Sequence, residues 1–270
     1  MIKQAIIPLA GLGTRLLPLT SVIPKELLPI NGKPGLEYIL DECVNSGISE
    51  IIFIISKNKE SIKKYFYNDK YYKNLIKKKG DERIKKEYKK IKKFKKMIKF
   101  VYQNSPRGTG DAVLRCQKLI KSNFFLMLMP DDLIIKNNCS KSMILLHKKY
   151  KSSIIASKKV SKNDVSRWGI LNVKKINRKN FIINDVIEKP NKKEAPSRYA
   201  VIGRYILPKS IFPILRKQKP GKNGEIHITD SIKTLIMKKN KFIGHIFAGK
   251  YLDCGSMSGY INSGIKISKL

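Results

Sequence analysis

Two basic side chains, Arg15 and Lys25, flank a glycine turn in the stretch IIPLAGLGTRLLPLTSVIPKELLP, from Ile6 to Pro29. The turn, Ala10-Gly11-Leu12-Gly13, follows a short apolar run that reads as a buried strand. The chemistry open to such a set is the holding of an anion. A glycine turn at a strand end lets N–H groups point at a phosphate without Cβ interference. A guanidinium and an ammonium can then close on it from the side, as a polyphosphate site requires. By spacing alone, Gly-x-Gly is first of all an ordinary strand-to-loop turn. The P-loop pattern is absent, and the dinucleotide fingerprint fails because Leu16 stands where a third glycine belongs.

Further candidates lie downstream. Asp131 in LMPDD and Asp253 in DCG each end an apolar, strand-like segment. Two carboxylates converging on triphosphate oxygens make a Mg²⁺ site, because Mg²⁺ takes a few carboxylates and completes its shell with phosphates and water. Each aspartate alone is a turn or cap residue. Glu188-Lys189 follows another apolar strand, where both side chains can reach a cleft or can form a surface pair before Pro190. No G-x-S-x-G elbow occurs, since Met257 occupies its centre, and nothing suggests a covalent nucleophile. Four scattered cysteines and three histidines show no metal or disulfide spacing, which fits a reduced, cytoplasmic setting.

The elements that must position these residues follow from periodicity. A helix is expected over 34–46 and a parallel strand over 51–55, giving a βαβ unit. Strands follow over 98–103 and 124–129, with a second glycine loop, Arg107-Gly108-Thr109-Gly110, opening a helix from Asp111 to about Ile120. Both glycine loops and Asp131 fall at the carboxyl ends of strands, where open α/β sheets collect ligands. Strand-like segments at 152–160, 169–173, 181–187 and 199–207 suggest a partly antiparallel second region. Helices at 210–217 and 229–238, a strand near 242–247 and a last helix towards Leu270 complete the chain. The expectation is an α/β fold: a Rossmann-like mixed, mainly parallel central sheet flanked by helices, with a smaller antiparallel sheet region in the C-terminal half. A chain of 270 residues, 42% hydrophobic, suits one domain of this kind, and no apolar run is long enough to span a membrane.

The formal charge of +37 brings nucleic acid to mind. The lysines come with abundant Ile and Asn, however, all from A/T-rich codons, and crowd onto helical surfaces. Over 58–99, Ile84, Tyr88, Ile91, Phe94 and Ile98 recur every three or four residues, predicting one apolar stripe on a solvated helix. Tyr88 and Phe94 are expected to face the core, so specific nucleic-acid binding is not expected.

The stretch AGLGTRLLPLTSVIPKELLPINGKP resembles the N-terminal signature of the sugar-1-phosphate nucleotidylyltransferases, and it lacks the Gly-Gly with which thymidylyl-transferring members begin. The likeness continues in order through RGTGDAV, LMPDD, WGIL, VIEKP, AVIGRYIL, GEIHITD and DCGSMSGY. It implies uridylyl transfer from UTP to glucose 1-phosphate, with Mg²⁺ as cofactor and Asp131 and Asp253 as metal ligands. By the same resemblance Arg15, Lys25 and Lys189 are catalytic. Ala10, Gly11, Leu12, Gly13, Thr14, Gln103 and Gly108 bind the nucleotide, and Gly169, Glu188 and Gly203 bind the sugar. Residues 1–150 would form the nucleotide-binding half and 151–270 the sugar-phosphate-binding half, in a homo-oligomer, dimer or tetramer. Arg107, Asp111 and His227 depart from the Lys, His and Gln typical of relatives. A sister enzyme using dTTP or another sugar, a non-catalytic nucleotide-sugar binder and an RNA-binding protein using the lysine-rich segment are the alternatives. The intact Arg15, Lys25, Asp131, Lys189 and Asp253 oppose the non-catalytic binder.

Overall fold

The first apolar run becomes the middle of a sheet. A computed structural model describes residues 2–269, apart from the side chain of Lys222. In chain order, β1 (Gln4–Pro8) leads into three 3-10 turns and a short hairpin of β2 (Pro29–Ile30) and β3 (Lys33–Pro34). Next come α1 (Gly35–Asn45), β4 (Glu50–Ile55), α2 (Glu60–Tyr67), α3 (Asp69–Lys79), α4 (Glu82–Met97) and β5 (Ile98–Tyr102). α5 (Thr109–Arg115), β6 (Phe124–Leu128), β7 (Asp132–Ile135), α6 (Cys139–Tyr150) and β8 (Ser153–Lys159) follow. The chain continues with β9 (Gly169–Lys175), β10 (Asn180–Glu188), β11 (Tyr199–Pro208), α7 (Ile211–Lys217) and α8 (Ile228–Met237). It closes with β12 (Phe242–Ile246), β13 (Lys250–Asp253) and α9 (Met257–Ser268). The last helix was expected to run towards Leu270, which lies outside the described residues.

Nine strands make one sheet, in the order β5-β4-β1-β6-β11-β8-β12-β10-β9. β5, β4, β1 and β6 are parallel. β11 enters antiparallel between β6 and β8, and β9 and β10 are antiparallel at the far edge. The expected antiparallel region is therefore continuous with the parallel one. Continuous apolar runs mark strands covered on both faces. Ala5, Ile7, Ile51 and Phe53 pack into one core, while Ile6, Ile52 and Ile54 turn into the other, as period-two alternation requires.

The lysine-rich segment differs from expectation. It holds three helices, because Asn68 breaks the first from the second and Gly80, at φ 65°, ends the second. Asp81 then caps α4 by accepting from the Arg83 N–H at 2.7 Å. Ile91 and Phe94 are buried on α4, but Ile98 belongs to β5. Tyr88 is only half-buried: its ring stacks on Tyr72 at 5.2 Å and its hydroxyl donates to Asp69. The helix expected from Asp111 starts two residues earlier and is cut short at Arg115. Among the described residues, no helix is long and apolar enough to cross a membrane.

Candidate active site

Arg15 and Lys25 meet a single acid. β1 delivers the chain into the glycine turn, where Gly13 adopts φ 72° and its carbonyl accepts from the Thr20 hydroxyl. A 3-10 turn at Thr14–Leu16 then presents Arg15, and another at Lys25–Leu27 presents Lys25. Lys25 Nζ donates to Asp131 Oδ2 at 2.8 Å, and the Arg15 guanidinium lies 3.8 Å from the same oxygen. The Lys25 side chain is 14% exposed, whereas that of Arg15 is 66% exposed. Lys25 is thus a buried charge and Arg15 an exposed one. Burial works against the charge on Lys25, but Asp131 and Glu26 outweigh it and raise its pKa. Burial likewise opposes ionisation of Asp131, and the Lys25 ammonium overcomes it, so that carboxyl falls below its ordinary range.

The turn is held from behind by residues that no local motif announces. Lys59, buried at the start of α2, donates to the Leu9 carbonyl at 2.6 Å and to Glu26 Oε2 at 2.8 Å. One ammonium so fixes both the base of the glycine turn and the neighbour of Lys25.

Asp253 reaches the same place along a two-stranded ribbon. β13 pairs with β7, setting Asp253 opposite Asp132, and the Cys254 N–H donates to the Asp131 carbonyl at 2.8 Å. A methyl group on Gly255 would stand 2.9 Å from Asp131 Oδ2, 2.9 Å from Arg15 Nη2 and 3.2 Å from Asp253 Oδ1. The two carboxylates and one guanidinium therefore surround a small space that only glycine leaves open. No cluster of three or more His, Cys, Asp or Glu side chains set to hold a metal occurs among the described residues. An ion here would take two carboxylates, with the rest of its shell from phosphate and water, which is the Mg²⁺ preference.

Asp132 has a different task from Asp131. Its Oδ2 accepts from the Gly203 N–H at 2.8 Å and its Oδ1 from the Tyr251 hydroxyl at 2.6 Å. Burial, with the charge of Asp131 alongside, pushes its carboxyl up to about 6. Gly203 sits behind the site: a methyl group there would meet Met129 Cβ at 2.4 Å. Arg204, fully buried, donates to Glu42 Oε2 at 2.8 Å and to the Asp132 carbonyl at 2.7 Å. It also donates to the Met129 carbonyl at 3.2 Å, so α1 and β11 together clamp the loop that carries Asp131. Breaking such a buried pair by removing one partner costs about 3–5 kcal/mol.

Two clefts open from this centre. One, of about 330 Å³, is walled by Ala10, Gly11, Leu12, Gly13 and Thr14, by Lys25, and across from them by Gln103 and Gly108. Gly108, at φ 98°, has the Ile226 backbone against it, 2.6 Å from where a Cβ would stand. The Gly110 N–H donates to the Ile226 carbonyl at 2.7 Å, and Ile226 N–H to the Arg107 carbonyl at 2.9 Å. This backbone latch uses GEIHITD to fix the second glycine loop. The other cleft, of about 340 Å³, is walled by Arg15, Asp131 and Asp253 and by Arg167, Trp168 and Lys189. Lys189 follows β10 at φ 42°, with its N–H donating to the Trp168 carbonyl at 3.1 Å. Glu188 and Gly169 are register partners; Thr229 donates to Glu188 Oε2 at 2.9 Å, and Gly169 leaves that oxygen room.

The geometry thus gathers Arg15, Lys25, Asp131 and Asp253 at the centre. It sets the first glycine turn, Gln103 and Gly108 to one side and Lys189 to the other. None of the three expected sugar-binding residues lines either cleft: Gly169 and Glu188 lie next to Trp168 and Lys189, which do, and Gly203 sits behind the site. Arg167 was missed: it donates to Asp253 Oδ2 at 3.0 Å and lies 4.7 Å from the Trp168 ring. A lone arginine in a surface turn gives no sequence signal.

A mixed α/β sheet with glycine turns and paired aspartates at its strand ends fits a nucleotide-handling transferase. The family model for nucleotidyl transferases matches residues 4–269, and the chain belongs to that family. Among its relatives, a Streptococcus pyogenes UTP–glucose-1-phosphate uridylyltransferase 2 is 36% identical, over 98% of this chain and 89% of its own length. A crystal structure of UDP-glucose pyrophosphorylase complexed with UDP-glucose superposes with a TM-score of 0.89 at 38% identity, over 100% of this chain and 99% of that one. A UTP-bound UGPase from Acinetobacter baumannii gives 0.88 at 30% identity, over 99% and 93%.

Proposed function

We propose that the chain transfers a uridylyl group from UTP to glucose 1-phosphate, giving UDP-glucose and pyrophosphate. The observation that carries this reading is the space in front of Gly255, where Asp131, Asp253 and Arg15 converge between the two clefts. The relatives named for this reaction support the choice of base and sugar.

In this reading UTP lies in the cleft of the two glycine loops, and glucose 1-phosphate lies in the cleft of Lys189. A phosphate oxygen of the sugar phosphate forms a bond to the α-phosphorus. The bond from that phosphorus to its bridging oxygen breaks, and pyrophosphate leaves with the electron pair. The nucleophile is already an anion, so no side chain need remove a proton. The protein's work is positioning and charge neutralisation. Lys25, held rigid by Asp131, faces the triphosphate, and Arg15 can swing onto the departing pyrophosphate. Lys189 holds the incoming phosphate in line, and Glu188 accepts from sugar hydroxyls beside Gly169. Asp131 and Asp253 would hold a divalent cation, Mg²⁺ in this reading, which when bound neutralises charge on both phosphate groups. All four cysteines are free and buried, consistent with a cytoplasmic enzyme.

Pyrophosphate release, measured with each nucleoside triphosphate against several sugar 1-phosphates, tests the proposal. Release with UTP and glucose 1-phosphate is the expected result. Release confined to dTTP, or to another sugar phosphate, would replace it with the sister enzyme.

A further inference from the structure

We infer that Asp111 fixes which end of the Gln103 amide faces the nucleotide cleft, so that the cleft selects a pyrimidine carrying an N3–H donor over cytosine. The inference rests on the nucleotide reading above and deepens it. Gln103 is 5% exposed, and its Nε2 donates to Asp111 Oδ2 at 2.7 Å and to the Gly108 carbonyl at 3.1 Å. Asp111 is itself held, accepting from Arg115 Nε at 2.8 Å. An ionised carboxylate is an acceptor only, as is a carbonyl. Turning the amide over would set its oxygen against two acceptors, so the NH₂ end is committed inward. The Gln103 Oε1 accepts no hydrogen bond among the described residues and is not sealed from solvent. It is the polar atom that Gln103 offers to the cleft it lines. Uracil meets an acceptor there with its N3–H. Cytosine has an unprotonated N3, which would oppose it. Thymine also carries an N3–H, so this device separates UTP from CTP and leaves dTTP to other contacts.

Asp111 is thus a positioning residue, and the ratio of kcat/KM for UTP to that for CTP reads its role. Asp111→Ala removes the acceptor. Asp111→Asn keeps the shape and replaces the acceptor with an amide that can face Gln103 with either end. Both variants should narrow the ratio by at least about tenfold, since a site built around one hydrogen-bonding pattern loses its discrimination with it. The KM for glucose 1-phosphate should stay near the wild-type value. A merely structural loss would depress UTP and CTP turnover alike, and an unchanged ratio in either folded variant overturns the inference. If the wild-type protein turns over no sugar phosphate, the proposed function fails, yet equilibrium binding of UTP against CTP to wild type and variants still decides this point.

Discussion

A single methyl group, added as Gly255→Ala, should slow the reaction while sparing the fold. The backbone at Gly255 is outside the left-handed region, so alanine brings no strain of its own. Its Cβ, however, would stand 2.9 Å from Asp131 Oδ2 and from Arg15 Nη2. Ordinary carbon–oxygen contacts are about half an ångström longer. Arg15 is largely exposed and can move away, but Asp131 is pinned by Lys25 at 2.8 Å. Asp253 is tied by the Gly255 N–H at 2.9 Å and by Arg167 at 3.0 Å. The displacement must therefore fall on the carboxylates or on whatever occupies the space between them. A misplacement of about 1 Å costs on the order of a hundredfold in rate, so half of that predicts a loss of about tenfold in kcat. That is about 1.4 kcal/mol of transition-state stabilisation. Pyrophosphate release at saturating UTP and glucose 1-phosphate measures it, and a Mg²⁺ titration should show a raised requirement. Thermal unfolding serves as the control. A folded variant with kcat and metal requirement within twofold of wild type would refute the claim that the reacting phosphates meet in front of Gly255.

Lys189→Ala should lose about two orders of magnitude in kcat, about 2.7 kcal/mol, because an in-line phosphate is held most usefully in the transition state; a raised KM with normal kcat would limit Lys189 to ground-state binding. His245, buried beside Lys179 and hydrogen-bonded to Asn180 and Ser142, has its pKa lowered from 6.5 to about 4, first by burial and then by the lysine charge. Between those values the unfolded chain binds a proton that the folded chain refuses, so stability falls as pH drops through the window, by up to about 3 kcal/mol. His245→Asn should flatten that slope in urea titrations from pH 6.5 to 4, and an unaltered slope would remove the histidine from the acid response. Replacing the exposed Lys85, Lys86, Lys89 and Lys93 with Gln should leave kcat/KM within about twofold and weaken any salt-sensitive RNA association; tight binding of one RNA sequence at physiological salt would contradict the reading of α4 as a solvated face.

Those parts of the fold that were legible are the ones written in local pattern. The runs at Ala5–Leu9, Ile51–Ile55 and Phe124–Met129 are apolar at every position because both sheet faces are covered, and such runs stand out without context. The ribbon of β7 and β13 did not stand out. Each strand is four residues long, and Asp132 and Asp253 at their paired ends read as turn residues. The same asymmetry holds for the site. Arg15, Lys25 and the glycine turn lie within one continuous motif. The supports are distributed: Glu42 and Arg204 are 162 residues apart, and Lys59 is 50 residues from the carbonyl it holds. A buried charge pair leaves no periodic trace, since each member is one polar residue in an otherwise ordinary helix or strand. Asp111 was legible as a residue but not as a partner, and Arg167 not at all, because partnership is decided by which loops the sheet brings face to face.

The seam between β6 and β11 bears on how such chains can be recombined. Register pairs run from Arg204 opposite Leu128 to Pro208 opposite Phe124, and Arg204 crosses behind them to Glu42 on α1. A graft that took residues after about 150 from a relative would have to reproduce that register, the buried ion pair and both shared cores at once. Exchanging only the loops at the carboxyl ends of the strands leaves the seam untouched. The interchangeable unit of this scaffold is therefore the loop, and altered sugar or base preference should be sought by transplanting single turns such as 165–169 or 105–111 onto an unbroken sheet.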